Sequence, residues 1–305
     1  MFACLSASRG EHPIGAFAGG ALPTTLLSCC ADALLPMFGT AAVLPLRAAC
    51  KEAAAAVAAH PWEDSETVIR GRVRDWRACF PRARAANVAA KGDSDAAHRA
   101  APLQDADFVH LAGLRALNMR NSNYVTDAAF AHLRGIHMLD MSGCSQEGIT
   151  DAAFAHLRGI HTLDMSRCDQ AGITDAAFAH LRGIHTLDMS YCNHDGITDA
   201  AFAHLAGIHT LSINHCSQSG LTDAAFAHLR GIHTLTMFSC YQRRITDAAF
   251  AHLRGIHTLD MSYCEQGTIT AAAPGHLQGI RKLVMSGCSR PVVEAARALG
   301  LPVHD

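Results

Sequence analysis

Histidine, cysteine and aspartate, the residue types of most metal and catalytic sites, recur in this chain at a constant step of 24. The aspartates of one series run from Asp127 to Asp247, and the cysteines of another from Cys144 to Cys288. Two histidine series span His132 to His252 and His137 to His257. A catalytic or metal site needs such residues to converge, whereas a fixed period places each type in its own column. The columns therefore predict structural roles, and neither a metal site nor a catalytic triad.

The sequence also lacks the short motifs that are typical of common enzyme classes. It has no Gly-rich phosphate loop, no Gly-x-Ser-x-Gly elbow and no His-Glu-x-x-His pair. We therefore expect a protein that is not an enzyme and needs no cofactor. The net charge of −2 does not favour nucleic acid or an anionic membrane as the main partner.

Two stretches bear on targeting. The longest apolar stretch, 31–49, is interrupted by Asp32, Pro36 and Pro45, which argues against a membrane span. Residues 1–20 lack a basic start followed by an unbroken apolar run, so no signal peptide is expected. The twelve cysteines permit disulfides, but without such a signal, reduced thiols in an intracellular protein, cytoplasmic or nuclear, are the favoured interpretation.

The step of 24 predicts a solenoid of stacked repeats, since a period of this length is typical of such architectures. Within the cleanest copy, Gly172–Cys192, the stretch Thr186–Ser190 alternates polar and apolar residues, as a short strand does. Thr174–Arg182 predicts a helix of about two turns. Thr174 or Asp175 would cap its start, and Gly183 would end it in a left-handed conformation.

Each repeat contains the pattern Ile184-x-x-Leu187-x-Met189-x-x-Cys192. It resembles the cysteine-containing leucine-rich repeats that follow F-boxes in ubiquitin-ligase substrate receptors. The resemblance covers Leu103 to Cys288, with a repeat slightly shorter than the family's usual one. It implies an α/β solenoid, namely a leucine-rich repeat horseshoe with a parallel β-sheet on its concave face, preceded by a small all-α module.

The segment before the repeats carries Leu22-Pro23 and then Leu46-Arg47-Ala48-Ala49-Cys50-Lys51. These motifs resemble an F-box, although Ala53 stands where the family usually has an aromatic residue. The resemblance implies binding to a Skp-family adaptor. An alanine-rich helical cap is the alternative. The adaptor-contacting residues would be Leu22, Pro23, Leu26, Leu46 and Cys50.

Composition changes along the chain suggest five segments. We predict a flexible leader at 1–20, an F-box-like helical module at 21–60, a linker and N-terminal cap at 61–102, leucine-rich repeats at 103–289 and a C-terminal cap at 290–305. Within the linker, residues 80–88 are a candidate capping strand.

The outward-facing strand positions predict the partner surface, because solenoids usually bind on that face. Three consecutive repeats carry an aspartate at one such position, which predicts an acidic surface for a basic partner, or else a solvated face left by repeat duplication. Repeats are nearly identical elsewhere, so the cluster around Phe238 and Tyr241 is either a binding centre or neutral drift. The candidate contact residues are Asp140, Asp164, Arg167, Asp188, Tyr191, Asn214, His215, Phe238, Tyr241, Asp260 and Tyr263.

The resemblance then implies a function. The chain would be a substrate-recognition subunit of a cullin-type ubiquitin ligase that binds an unidentified target protein through its repeats. The alternative is a non-catalytic scaffold or inhibitor with no link to a ligase.

Overall fold

The computed structural model describes residues 40–49, 51–69, 71–89 and 102–304. The chain divides into two compact units, Met1–His60 and Pro61–Asp305. In the first unit, helices α1 (Thr40–Ala49) and α2 (Lys51–Ala59) contact each other.

Most of the predicted adaptor site lies outside the described residues. Leu22, Pro23, Leu26 and Cys50 all fall in undescribed positions. Leu46 lies on α1, but its side chain is not described. The adaptor contact therefore stays a prediction.

The second unit is a leucine-rich repeat solenoid, as the sequence predicts. One parallel sheet contains ten strands, each paired with the next in chain order. The register keeps equivalent residues side by side, for example Leu139, Leu163 and Leu187. The strands are β1 (Ala85–Asn87), β2 (Ala116–Asn118), β3 (Met138–Asp140), β4 (Thr162–Asp164), β5 (Thr186–Asp188), β6 (Thr210–Ser212), β7 (Thr234–Thr236), β8 (Thr258–Asp260), β9 (Lys282–Val284) and β10 (Val303–His304).

The predicted two-turn helix is wrong, because each repeat between Asp127 and Phe250 forms only about one α-helical turn, such as Asp175–Phe178, and the first and last repeats form 3₁₀ segments instead. Beyond that turn the backbone tightens to i→i−3 bonds, with the amide of Leu181 donating to Phe178 O at 2.9 Å. The tighter winding brings both Phe178 and Leu181 into the core within the few residues that a repeat of this length provides. Gly183 follows at φ 81°, the left-handed conformation expected of it. The helices of this unit are α3 (Val73–Cys79), α4 (Asp127–Phe130), α5 (Asp151–Phe154), α6 (Asp175–Phe178), α7 (Asp199–Phe202), α8 (Asp223–Ala227), α9 (Asp247–Phe250) and α10 (Arg290–Ala298), with 3₁₀ turns at Asp105–Leu111, Ala203–Leu205, Ala251–Leu253 and Ala273–His276.

A Thr-Asp pair, such as Thr174-Asp175, opens the helical turn of each regular repeat, and its two residues have different roles. Thr174 is the N-cap, since its Oγ1 accepts from the amide of Ala176 at 3.3 Å. The Asp175 carboxylate instead reaches the next repeat, where it accepts from the amide and the hydroxyl of Thr198, both at 2.7 Å. The same link recurs from Asp105 to Asp247. The aspartate column thus joins repeat to repeat.

The core is a stack of identical layers. Phe178, Leu187, Met189 and Cys192 are each fully buried. The Cys192 thiol donates to the backbone carbonyl of Met165 in the preceding repeat at 3.1 Å. Burial raises the pKa of the thiols in this column, to about 12 at Cys144, so they stay protonated at neutral pH. The described cysteines of the column are unpaired, and they pack as small apolar groups.

Both ends of the solenoid are covered by non-repeat elements. At the start, β1 pairs with β2 and Trp62 packs edge-on against Phe80, with ring centroids 5.6 Å apart. At the other end, α10 buries Val292 and Ala296, and β10 pairs with β9. Such atypical ends protect the terminal faces of a stacked core. Across the described part of the chain, no helix combines the length and apolar character that crossing a bilayer requires.

Candidate functional site

The residue before each column cysteine adopts the left-handed conformation, which non-glycine residues rarely do. Arg167, Tyr191, His215 and Tyr263 have φ between 52° and 60°. The turn is held by backbone bonds; for example, the amide of Tyr191 donates to Asn214 O at 2.8 Å. The full column is Asn121, Gly143, Arg167, Tyr191, His215, Ser239, Tyr263 and Gly287.

Four side chains of this column, together with Phe238 from the position before it, form a continuous row that we call the aromatic strip: Arg167, Tyr191, His215, Phe238 and Tyr263. The Arg167 guanidinium lies 4.4 Å from the Tyr191 ring centroid. Tyr191 stacks on His215 with centroids 4.3 Å apart and an interplanar angle of 18°. Ser239 would interrupt the row, but Phe238 from the preceding position fills the gap, at 5.0 Å from His215 and 5.2 Å from Tyr263.

The strip is open to solvent. Tyr191 is 38% exposed and Tyr263 45% exposed, and Tyr241, at 55%, flanks the strip. The Tyr241 hydroxyl lies 3.5 Å from Ser239 Oγ. The structure therefore brings together five of the predicted contact residues and places a sixth, Tyr241, beside them.

Three aspartates on adjacent strands form what we call the acidic row: Asp140, Asp164 and Asp188. Each Oδ1 accepts from the backbone amide two residues later, at 3.0, 2.9 and 2.8 Å respectively. At Asp140 the Ser142 hydroxyl also donates to Oδ1, at 2.6 Å, and at Asp164 the Ser166 hydroxyl is a second donor to the carboxylate. Burial raises the pKa of Asp164, and the charges of Asp140 and Asp188 add to that effect against the hydrogen bonds from Ser166, which lower it. Asp260 has the same local bond at 2.9 Å but lies apart, beyond Ser212 and Thr236.

Asn214 has a positioning task that sequence reasoning did not identify. Where the strand aspartate is replaced by Ser212 and Thr236, the turn amides are capped from the preceding repeat. The amide of Asn214 donates to Ser190 Oγ at 3.2 Å, and the amide of Phe238 donates to Asn214 Oδ1 at 2.9 Å. Asn214 therefore holds the backbone of Phe238 in place within the aromatic strip.

Replacing Asp164 with asparagine is expected to stabilise the fold at pH 7 by about 0.5 kcal/mol, after allowance for solvent screening. The folded state raises the pKa of this group. The free energy of unfolding therefore falls as pH rises from the unfolded-state pKa of about 3.9 through the raised folded-state pKa. Asparagine retains the Oδ1 acceptor without the charge. Urea unfolding at pH 7 and pH 4 measures the gain, which should shrink at pH 4. An equal gain in the exposed control Asp195→Asn would contradict this explanation.

The histidine column from His137 to His257 is a stack of imidazoles. Successive ring centroids are 4.2–4.7 Å apart, with interplanar angles of 11–17°. Because stacked rings point their nitrogens in parallel, they do not converge on one ion. No group of three ligating side chains suited to a metal occurs among the described residues. In the other column, three histidines accept at Nδ1 from the arginine Nε of the preceding repeat at 3.3–3.4 Å: His156, His180 and His204.

The stacked imidazoles predict that the free energy of unfolding falls as pH drops below the ordinary histidine pKa of about 6.5. Desolvation and the neighbouring imidazoles lower the pKa of His161 and His209. The unfolded chain then binds more protons than the folded chain, so acid favours unfolding. Urea unfolding at pH 7.5 and 5.5 should show a lower midpoint at pH 5.5. The double variant His161→Gln/His209→Gln should lose part of that difference, and an unchanged difference would contradict the assignment.

Comparison with known proteins shows the fold and no closer relationship. A chain of the mouse RP105/MD-1 complex is similar with a TM-score of 0.52 and 14% identity, covering 79% of this chain and 45% of that one. A chain of the TLR13–ssRNA13 complex is similar with a TM-score of 0.51 and 16% identity, covering 70% and 34% respectively. This chain thus spans less than half the length of either. No protein-family model and no curated protein matches the sequence.

Proposed function

We propose that the chain is a non-catalytic protein-interaction subunit that binds its partner across the aromatic strip. The observation that carries this proposal is the unbroken contact of Arg167, Tyr191, His215, Phe238 and Tyr263, which follow the carboxyl ends of successive strands and are open to solvent. Tyrosine and arginine are enriched at the centres of protein interfaces, where few residues provide most of the binding energy. The leucine-rich repeat fold supplies the rigid platform.

The fold itself gives no reason for these side chains. In the equivalent position other repeats carry Asn121, Gly143 and Gly287, and the turn forms there with φ of 56–70°. Glycine adopts this conformation without strain, whereas other residues incur on the order of 1 kcal/mol. Large side chains in five successive repeats, four at the strained position and Phe238 beside it, are therefore better explained by a surface that binds a partner.

The finer proposal is a substrate receptor of a cullin-type ubiquitin ligase, located in the cytoplasm or nucleus. It is supported by the Leu22-Pro23 and Leu46-to-Lys51 motifs together with the repeats that follow them. The Skp-family adaptor would bind the first unit, and the target would bind the strip. The alternative is a scaffold or inhibitor that uses the same strip without an adaptor.

Site-specific photo-cross-linking tests the first proposal. A benzoylphenylalanine at position 238 should cross-link a discrete protein in cells, since the side chain at this position lies in the strip. The matched control is Ala176, an exposed residue on the helical side of the solenoid. Equal cross-linking from position 176, or none from 238, would contradict the proposal.

A pull-down with purified Skp-family adaptor tests the finer proposal. The full chain should retain the adaptor, and the Leu22→Ala/Pro23→Ala variant should not. If the folded chain does not bind the adaptor, the ligase link is wrong, while the strip remains a partner site.

A further inference from the structure

The acidic row and the aromatic strip meet in two repeats, where an aspartate ends the strand and a member of the strip lies in the turn that follows. Asp188 lies three residues before Tyr191, and Asp164 lies three residues before Arg167, in adjacent repeats of the sheet. From this placement we infer that the segment docking on the aromatic strip carries arginine or lysine side chains, which reach the acidic row. The inference rests on the proposed function and names the chemistry of the partner at that site.

The fold does not need the negative charge of the acidic row. The aspartates cap a turn amide, but neutral oxygens do so in the two middle repeats, where Ser190 Oγ caps Asn214 and Asn214 Oδ1 caps Phe238. These two repeats show that the turn forms without a carboxylate. Three carboxylates on adjacent strands repel one another. Burial is the main cause of the raised pKa of Asp164, and the charges of Asp140 and Asp188 add to it. The charge is therefore in excess of what the turn requires.

Within the described part of the chain, no ion pair neutralises the acidic row. Among the ion pairs of the described residues, none includes Asp140, Asp164 or Asp188. Arg167 follows Asp164 closely in sequence, yet its guanidinium lies over the Tyr191 ring instead. The three carboxylates are only half-buried, so they can accept from donors outside the chain, and arginine and lysine supply such donors with a complementary charge.

The aromatic strip suits the remainder of such a segment. Arginine and lysine have apolar stems that pack along aromatic surface while the charged head binds elsewhere. The side chains of Arg243 and Arg244, in the loop after Tyr241, are exposed and place positive charge beyond that flank of the strip. The basic end of the segment therefore lies over Asp140 to Asp188, away from Tyr241. A nucleic acid is disfavoured, because the same carboxylates would repel its phosphates.

The test is selection of a displayed library of random dodecapeptides on the full chain. Affinities of the selected peptides are then measured by fluorescence polarisation. We expect two or more basic residues in the selected peptides, next to apolar or aromatic ones. The variant Asp140→Asn/Asp164→Asn/Asp188→Asn should weaken binding about tenfold, an effect typical of a few partly exposed charge pairs. Each asparagine keeps the Oδ1 acceptor, so circular dichroism and urea unfolding should show a folded protein.

A matched control changes the net charge equally at exposed residues outside the row. It should alter the affinity less than twofold. The control variant is Glu147→Gln/Asp195→Asn/Glu265→Gln.

The outcomes separate this inference from the proposed function. Peptides that need Phe238 but lack basic residues, or bind the asparagine variant with unchanged affinity, would overturn the inference and leave the strip as a binding site. An equal loss in the control variant would also overturn it, since the effect would then reflect net charge. If Phe238→Ala leaves every selected peptide bound, the proposed function fails and the inference fails with it.

Discussion

Replacing Phe238 with alanine is expected to weaken binding of the partner by about 2 kcal/mol or more, which is roughly 30-fold. The Phe238 ring is the contact between His215 and Tyr263, at 5.0 and 5.2 Å. Its removal therefore divides the aromatic strip into two separate parts. Because the side chain is only half-buried, the free energy of unfolding should fall by no more than about 1 kcal/mol. Titration of the cross-linked partner against both proteins measures the difference.

The matched control for Phe238→Ala is Tyr124→Ala. Tyr124 is an aromatic residue that is 64% exposed and lies outside the strip. Its replacement should leave the affinity within twofold. Equal losses in the two variants would mean that the partner recognises general aromatic surface and not this strip.

Replacing Phe178 with alanine is expected to lower the free energy of unfolding by 3–5 kcal/mol, as estimated for a large side chain removed from a packed core. Phe178 is fully buried, and equivalent phenylalanines occupy the neighbouring layers from Phe130 to Phe250. Its loss leaves a cavity in the middle of the stack, which neighbouring layers fill poorly because their register is fixed by the sheet. Urea unfolding followed by circular dichroism measures the change.

The control for Phe178→Ala is Val109→Ala, at a side chain that is 52% exposed. This variant should unfold within about 0.5 kcal/mol of the original chain. A loss below 1 kcal/mol for Phe178→Ala would contradict the layered core, since it would mean that the phenylalanine column is not packed.

The repeat register was predictable because burial determines it. The positions of Leu187 and Met189 are apolar in every copy, and only one strand phase buries both. The left-handed Gly183 followed from the same pattern. The helix length was not predictable, since the choice between α and i→i−3 winding depends on how far Leu181 must reach into the core.

The candidate site was predictable as a set of residues but not as an arrangement. The sequence singles out the members of the strip because they break the repetition. Spacing alone does not show that Phe238 crosses from its own column into the gap at Ser239, because that contact depends on side-chain directions around a left-handed turn. The capping of Phe238 by Asn214 depends on the same geometry.

Amide hydrogen exchange of the full chain, with and without its partner, tests the central claim most directly. We predict that the partner protects the strand ends and turns at 188–192, 212–216 and 236–241, while exchange in the helices Asp175–Phe178 and Asp199–Phe202 stays unchanged. Protection confined to those helices, with none at the aromatic strip, would contradict the account.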